Sequence, residues 1–176
     1  MGDLAAGKST FAIMLSRRYN INVFFKDSIK EVLGDTIGFS NREENLRLSS
    51  ASMEMMFFLF SEFAVLNKSL ILESNFHTAE LDRLHQLAAQ HDYQILTIVL
   101  RGNVRLLHQR YLNRIAEKRH PVHLSTTMDR YEDFKRYTEW SRQEQIPGET
   151  IVVNADDFSW QTDIALLAKI DCFLKG

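Results

Sequence analysis

Cysteine is almost missing: the 176-residue chain holds one, Cys172. No intrachain disulfide framework can form, and a lone thiol in an apolar C-terminal stretch fits a reducing, cytoplasmic compartment. Proline and glycine are also scarce, at 2 and 7. No Pro-rich or Ser/Gly-rich linker divides the chain and no internal repeat is present, so residues 1–176 are read as one domain. There is no excess of one charge, since 21 Lys and Arg face 23 Asp and Glu. No overall basic field therefore points to a nucleic-acid partner. A long hydrophobic run is absent too. The most apolar window, Met55 to Leu66, is short and interrupted by Glu62, which makes it a core helix and not a membrane span. The N-terminal residues lack the basic-then-apolar order of a secretory leader, and none is expected.

What the chain does contain is Gly2-Asp3-Leu4-Ala5-Ala6-Gly7-Lys8-Ser9-Thr10, a complete phosphate-binding loop. Gly2 and Gly7 let the backbone curl so that successive N–H groups point at phosphate oxygens. Lys8 adds a mobile positive charge for the terminal phosphates, and Ser9 a hydroxyl for Mg²⁺. Phe11, Met14, Leu15 and Arg18 repeat at helical spacing, so a helix presents its positive N-terminus to the same phosphates. The spacing implies ATP with Mg²⁺ as ligands.

Strands are expected at Val23 to Phe25, Leu70 to Leu72, Ile95 to Leu100 and Thr150 to Val153, alternating with helices. Gly34 is expected to end a helix begun at Ser28, and Thr78 to cap another. A helix from Asn103 to Arg119 and a second from about Thr126 to Gln145 flank His120-Pro121-Val122-His123, and the last runs roughly from Trp160 to Leu174. Alternating strands and helices predict an α/β, three-layer sandwich around a parallel sheet, with ligands at the strands' C-terminal ends.

Several charged residues fall at those ends. Asp27 closes the second-strand region, where a carboxylate accepts an acceptor hydroxyl's proton or orders metal-bound water; the plainer role is a helix cap. Lys30, one turn on, suits an acceptor's anionic group. Glu73 can hold Mg²⁺ through water, and Asn75 can orient an acceptor or serve a turn. Arg105, Arg110, Arg114 and Arg119 lie on the helix after the third strand; Arg110 and Arg114 share a face and form, with a lid-like segment of about 103–125, a basic flap able to close over a triphosphate. His120 and His123 lack the ligand spacing of a zinc site. Asp156 and Asp157 follow the last strand and are expected to cap the terminal helix, the commoner role, or to lie near the nucleotide's base.

The loop, Lys26-Asp27-Ser28-Ile29-Lys30, Leu70 to Asn75 and the Arg-bearing helix together resemble the zeta-toxin-like and polynucleotide-kinase-like group of P-loop kinases, across nearly the whole chain. The resemblance implies Asp27 as the base, Lys30 as an acceptor contact and Arg110 or Arg114 at the donor phosphates. Lys30 stands where the group usually has Arg, and Glu73 where it has Asp. A point-charge Lys does not reproduce bidentate phosphate recognition, which disfavours a polynucleotide end.

The expected activity is transfer of the γ-phosphoryl group of ATP to a hydroxyl of a small molecule, a nucleotide or a nucleic-acid end, with Lys8, Asp27 and a lid arginine catalytic. The rival is a regulatory ATP-binding domain without turnover. A GTPase reading fails, because Asp35-Thr36-Ile37-Gly38 follows a helix and Asn67-Lys68-Ser69-Leu70 lacks the guanine-reading Asp. Met1 directly abuts Gly2, so the central strand that normally leads into such a loop is expected to be lacking, and the native start to lie roughly five to eight residues earlier.

Overall fold

The computed structural model describes residues 1–116, 120–123 and 128–175. Helix α1 (Lys8–Tyr19) leaves the phosphate loop, followed by β1 (Asn22–Phe25), α2 (Lys26–Ile37) and α3 (Arg42–Val65). Next come β2 (Leu70–Glu73), α4 (Thr78–Ala89), β3 (Leu96–Arg101) and α5 (Val104–Ile115). The chain ends with α6 (Tyr131–Ser141), β4 (Glu149–Asn154), a 3₁₀ turn at Ser159–Gln161 and α7 (Ile164–Lys175). All the strand pairs are parallel, as short apolar strands joined by helical crossovers dictate.

Apolar spacing decides which layer each helix joins. Met53, Met56, Phe57, Phe60 and Ala64 form one face of α3 and pack on Leu81, Leu84 and Ala88 of α4, covering one side of the sheet. Phe11 and Leu15 of α1, Leu107 and Tyr111 of α5, Phe134 of α6 and Ile170 of α7 gather with Trp160 on the other. Among the described residues α3 is long and apolar enough to cross a membrane by length and composition, and its Met53 to Ala64 face is core. Its start is fixed locally: Asn41 accepts the Glu44 N–H at 2.9 Å while Glu44 accepts the Ser40 N–H at 2.6 Å.

The sheet is interrupted. Strands β1 and β2 form one pair, with Val23 opposite Ile71, and β3 and β4 another, with Ile98 opposite Ile151. Among the described residues no strand joins the two pairs, and Met1 to Asp3 lie beside β3 at one end of the gap. The Met1 nitrogen donates to the Ile98 carbonyl at 3.0 Å, Leu100 N–H to the Met1 carbonyl at 3.0 Å, and Asp3 N–H to the Leu100 carbonyl at 2.9 Å. The rest of the gap is a cavity of about 540 Å³ lined by Leu15, Phe60, Leu70, Leu72, Leu96 and Ile98 among others. Burial in this gap lowers the Met1 amine to a pKa of about 5.

Several local expectations are corrected. Helix α2 runs straight through Gly34 and ends at Gly38, whose φ is 77°. Gly34 is needed for another reason: a Cβ there would approach Val122 Cγ2 to 2.9 Å, so the missing side chain makes room for the fully buried Val122. Thr78 follows the cap of α4, which is His77. The helix expected from Thr126 starts at Tyr131. Asp156 accepts the Asn103 N–H at the start of α5, Asp157 accepts the Ser159 N–H, and Asp163 takes the capping role for α7 through the Leu166 N–H at 3.0 Å. Arg119, residues 117–119 and 124–125 of the lid-like segment, and positions 126 and 127 of the expected following helix lie outside the described residues.

Candidate active site

The loop obtains its curl from residues at positive φ: Gly2 at 126°, Ala5 at 59° and Gly7 at 83°. Gly2 is irreplaceable on steric grounds as well, since a Cβ would run into the Leu100 carbonyl of β3. Ala6 is buried, and Leu4 and Ala5 rest on the core beneath α1, so apolar side chains hold the loop from below. Asp3 is 2% exposed and lies in a bidentate pair with Arg142, at 3.1 Å to Nε and 2.6 Å to Nη2. Arg142 also donates to the Gly102 carbonyl at 2.6 Å while the Gly102 N–H donates to Asp3 at 3.0 Å. The first turn of the loop is thereby tied to the end of β3 and to α6.

Lys8 extends along the loop, donating to the Gly2 and Asp3 carbonyls at 3.2 and 2.8 Å. Burial depresses the Lys8 ammonium below its ordinary pKa, and Arg114 pushes in the same direction; Glu73, Asp3 and Asp27 oppose them. The four charged groups that act on this lysine come from α5, β2, the loop and α2. Ser9, at the exposed start of α1 with Thr10, donates its hydroxyl to Glu73 Oε2 at 2.9 Å. Two hard oxygen groups side by side suit Mg²⁺, which takes few protein ligands and leaves other positions to phosphate and water. Among the described residues no group of three or more His, Cys, Asp or Glu side chains gathers as a metal site on protein ligands alone.

The two arginines of α5 diverge. Arg110 donates to the Ala155 and Asp156 carbonyls, both at 2.6 Å, and its guanidinium lies 5.4 Å from the centre of the Phe158 ring. It binds the segment after β4, which brings Phe158 within 3.4 Å of where a Cβ at Gly7 would stand. Arg114 is the arginine whose charge is felt at Lys8. Arg105 stacks on Tyr131 at 4.8 Å.

On the side of α2, Asp27 is exposed and flanked by two lysines bonded to α3: Lys26 Nζ to Ser49 Oγ at 3.0 Å and Lys30 Nζ to Asn45 Oδ1 at 2.9 Å. Asn75 stands apart from them, in a small pocket beside Gly2, Asp3 and Arg142, with its Oδ1 buried and without a partner among the described residues. His120 and His123 pair with carboxylates of α2, Asp35 at 3.0 Å and Glu31 at 2.7 Å. With Val122 over Gly34 and its carbonyl accepting from Asn45 Nδ2 at 2.7 Å, they dock residues 120–123 beside Lys30.

Sequence reasoning missed the Asp3–Arg142 tie, the Phe158 contact and Lys26. A signal existed for Lys26 alone, which precedes Asp27 and lies four residues from Lys30 on one helical face.

No family model matches the chain, and no curated protein matches it by sequence. Solved structures do. A candidate kinase from Chloroflexus aurantiacus j-10-fl is 26% identical, with a TM-score of 0.77 over 97% of this chain and 92% of that one. An unliganded sugar kinase from Janibacter sp. HTCC2649 shares 14% identity at TM-score 0.59, covering 97% of this chain and 91% of its own. Shikimate kinase from Bacteroides thetaiotaomicron shares 16% at TM-score 0.55, over 100% and 96%. The fold is that of the P-loop kinases.

Proposed function

We propose that the chain is a phosphotransferase that moves the γ-phosphoryl group of ATP to a hydroxyl of a small-molecule acceptor. The observation that carries the reading is the geometry around Lys8, which lies along the loop on the Gly2 and Asp3 carbonyls at 3.2 and 2.8 Å with the Ser9–Glu73 pair beside it at 2.9 Å, and which also feels the charges of Arg114 and Asp27. A regulatory nucleotide binder needs the loop and the metal-side oxygens but not an exposed carboxylate and an arginine on the flap. The likeness to solved kinases, and the resemblance to the zeta-toxin-like and polynucleotide-kinase-like group, support the same class.

In this reading the loop amides, Gly2 to Thr10, hold the donor phosphates, and Lys8 and Arg114 neutralise charge that spreads over the transferred group. Arg110 positions Phe158 and the segment after β4 beside the loop. Ser9, and Glu73 through water, would hold Mg²⁺, which would supply neutralisation of the phosphate charge. Asp27 receives the acceptor hydroxyl's proton, and Lys30 contacts the acceptor. Asn75 contributes through the loop it neighbours.

The test is incubation of the protein with γ-labelled ATP, Mg²⁺ and a panel of hydroxyl-bearing metabolites, with hydrolysis followed alongside. Asp27→Asn retains ATP affinity and loses transfer by about 10²-fold or more. Transfer undiminished in Asp27→Asn removes the base assignment, and ATP binding with no transfer across the panel favours the regulatory reading.

A further inference from the structure

Helix α3 is covered on two sides and open on a third. Asn45 and Ser49 meet the lysines of α2, and Met53, Met56, Phe57, Phe60 and Ala64 form the core face. The open side carries Ala51, Met55, Phe58, Glu62 and Val65, at the alternating four- and three-residue spacing of a helix–helix seam. Met55 is 42% exposed, Phe58 56%, Val65 65% and the neighbouring Leu66 61%. Of the most apolar 18 residues of α3, only 39% are buried. An apolar stripe of this size on the outside of a domain marks a contact surface. A bilayer is a poor occupant, because Arg47, Glu54 and Glu62 lie within the stripe or at its margin and would enter the hydrocarbon with it.

The stripe is complementary to its own reverse. Counted from Met55, Ala51 lies four positions before and Phe58 three after, while Arg47 lies eight before and Glu62 seven after. A two-fold axis near Met55 that sets two copies of α3 antiparallel lays the Phe58 ring of each over Ala51 of the other, large over small. The same axis sets Arg47 of each copy against Glu62 of the other. Among the described residues Glu62 has no ion-pair partner. The Arg47–Glu43 pair, at 2.6 Å, is 74% and 77% exposed, so Arg47 leaves it at little cost. Glu54 flanks the axis, but Arg83 of α4 holds it at 2.5 and 2.8 Å and offsets its repulsion for its symmetry mate. We infer that this side of α3 is the interface of a homodimer whose two copies pair antiparallel about Met55. From Arg47 to Leu66 the contact is about 28 Å long and buries on the order of 500 Å² per copy, which is at the low end of specific interfaces and corresponds to a reversible dimer. The inference does not depend on the phosphotransferase reading.

The experiment is sedimentation velocity on the full chain across a dilution series, with reductant present so that the exposed Cys172 forms no intermolecular disulfide. The expected result is a monomer–dimer equilibrium with a Kd on the order of 10 µM. Phe58→Glu, at an exposed position, raises that Kd by about thirtyfold or more while the far-UV spectrum and Tm hold. Arg47→Glu and Glu62→Arg, each alone, set like charges against each other at both ends of the seam and raise it by about tenfold. Mixed in equal amounts, these two variants recover the dimer, because in the mixed pair every introduced charge meets its opposite. A parallel pairing gives no such recovery. A chain that stays monomeric at the highest concentration, an association undiminished in Phe58→Glu, or a mixture no better than its components overturns the interface. So does sedimentation of the monomer with phosphatidylcholine–phosphatidylglycerol vesicles that Phe58→Glu abolishes, which would give this side of α3 to a membrane.

Discussion

Arg110 and Arg114 are one turn apart on α5, and their different surroundings predict different phenotypes. Arg110 spends two nitrogens on backbone carbonyls, so Arg110→Ala leaves the Ala155 and Asp156 oxygens wanting and removes the clamp on Phe158. A charged donor to such acceptors is worth about 1–3 kcal/mol, which for a domain of this size lowers Tm by roughly 3–10 °C. On the proposed role of Arg114 in neutralising the transferred group, Arg114→Ala is expected to leave Tm unchanged within about 2 °C and to reduce kcat by about 10²–10³-fold. Calorimetry beside steady-state kinetics distinguishes them, and equal Tm losses in the two variants would refute the division of roles. The same scale shows what a sequence conveys. The placement of Lys8 and Ser9 at the end of the curled loop is legible because it follows from backbone curl, which neighbouring glycines announce. The Asp3–Arg142 pair spans 139 positions, and no spacing rule brings those residues together. Asp3→Ala strands the Arg142 guanidinium against the Gly102 carbonyl and costs about 3 kcal/mol, read by urea unfolding.

At the scale of elements, the junction between α4 and α6 carries a pH signature. Glu144, just past α6, accepts the Thr78 hydroxyl at 2.6 Å, the Thr78 N–H at 2.7 Å and pairs with His77 Nδ1 at 2.7 Å, so the start of α4 is closed by a side chain from a distant segment. The Thr78 bonds first, then His77, hold its carboxyl down at about 2, against 4.5 for the free group. Because the folded pKa lies below the unfolded one, the unfolded chain binds more protons between those values. The stabilisation is complete above about pH 4.5 and is lost as pH falls toward 2. Glu144→Gln therefore lowers stability near neutrality by about 2 kcal/mol and flattens the acid limb of the stability–pH curve; an unchanged acid limb in chemical denaturation at pH 3 to 5 would contradict this. Helix α2 gives a second case. Alanine at Gly34 gains about 1 kcal/mol of helix propensity, but its Cβ meets Val122 at 2.9 Å. Val122 is fully buried on a loop, so the loop yields, and losing that burial costs about 2 kcal/mol. Gly34→Ala is therefore expected to destabilise slightly and to speed hydrogen exchange at 120–123. A chain read in isolation treats Gly34 as a stop signal because the residue that needs its empty side, Val122, is far along the sequence.

At the scale of the molecule, strand positions and layers were legible because parallel strands covered on both faces read as short apolar runs, and each helix shows its core face by spacing. The expected interruption of the sheet is present between β2 and β3, while the shape it leaves has no signal in the sequence. The gap has two polar edges: β2 offers Leu70 to Leu72 on one side and β3 offers Leu96 to Ile98 on the other, and among the described residues no strand joins them, the Met1 bond to the Ile98 carbonyl marking the end of the gap. Unmade backbone bonds and a void of about 540 Å³ are both unfavourable. The bonds that Met1 to Asp3 make to β3 set the register in which a strand would fill it, parallel to both edges and leading into the phosphate loop. Five residues such as Val-Ile-Ile-Val-Ile joined ahead of Met1 would complete both edges and bury about three large side chains, for roughly 5 kcal/mol. That corresponds to a rise in Tm of about 10–20 °C. Slower hydrogen exchange at residues 70–72 and 96–98 locates the effect. The same extension with proline at its second and fourth positions loses its donors to one of the two edges and is expected to give less than a third of the rise. Because Gly2 and Asp3 end this strand and begin the loop, the completed sheet also tightens ATP binding, by about threefold or more if a few tenths of an ångström of loop freedom is removed. Equal melting temperatures for the two extensions would mean that the gap does not take a paired strand.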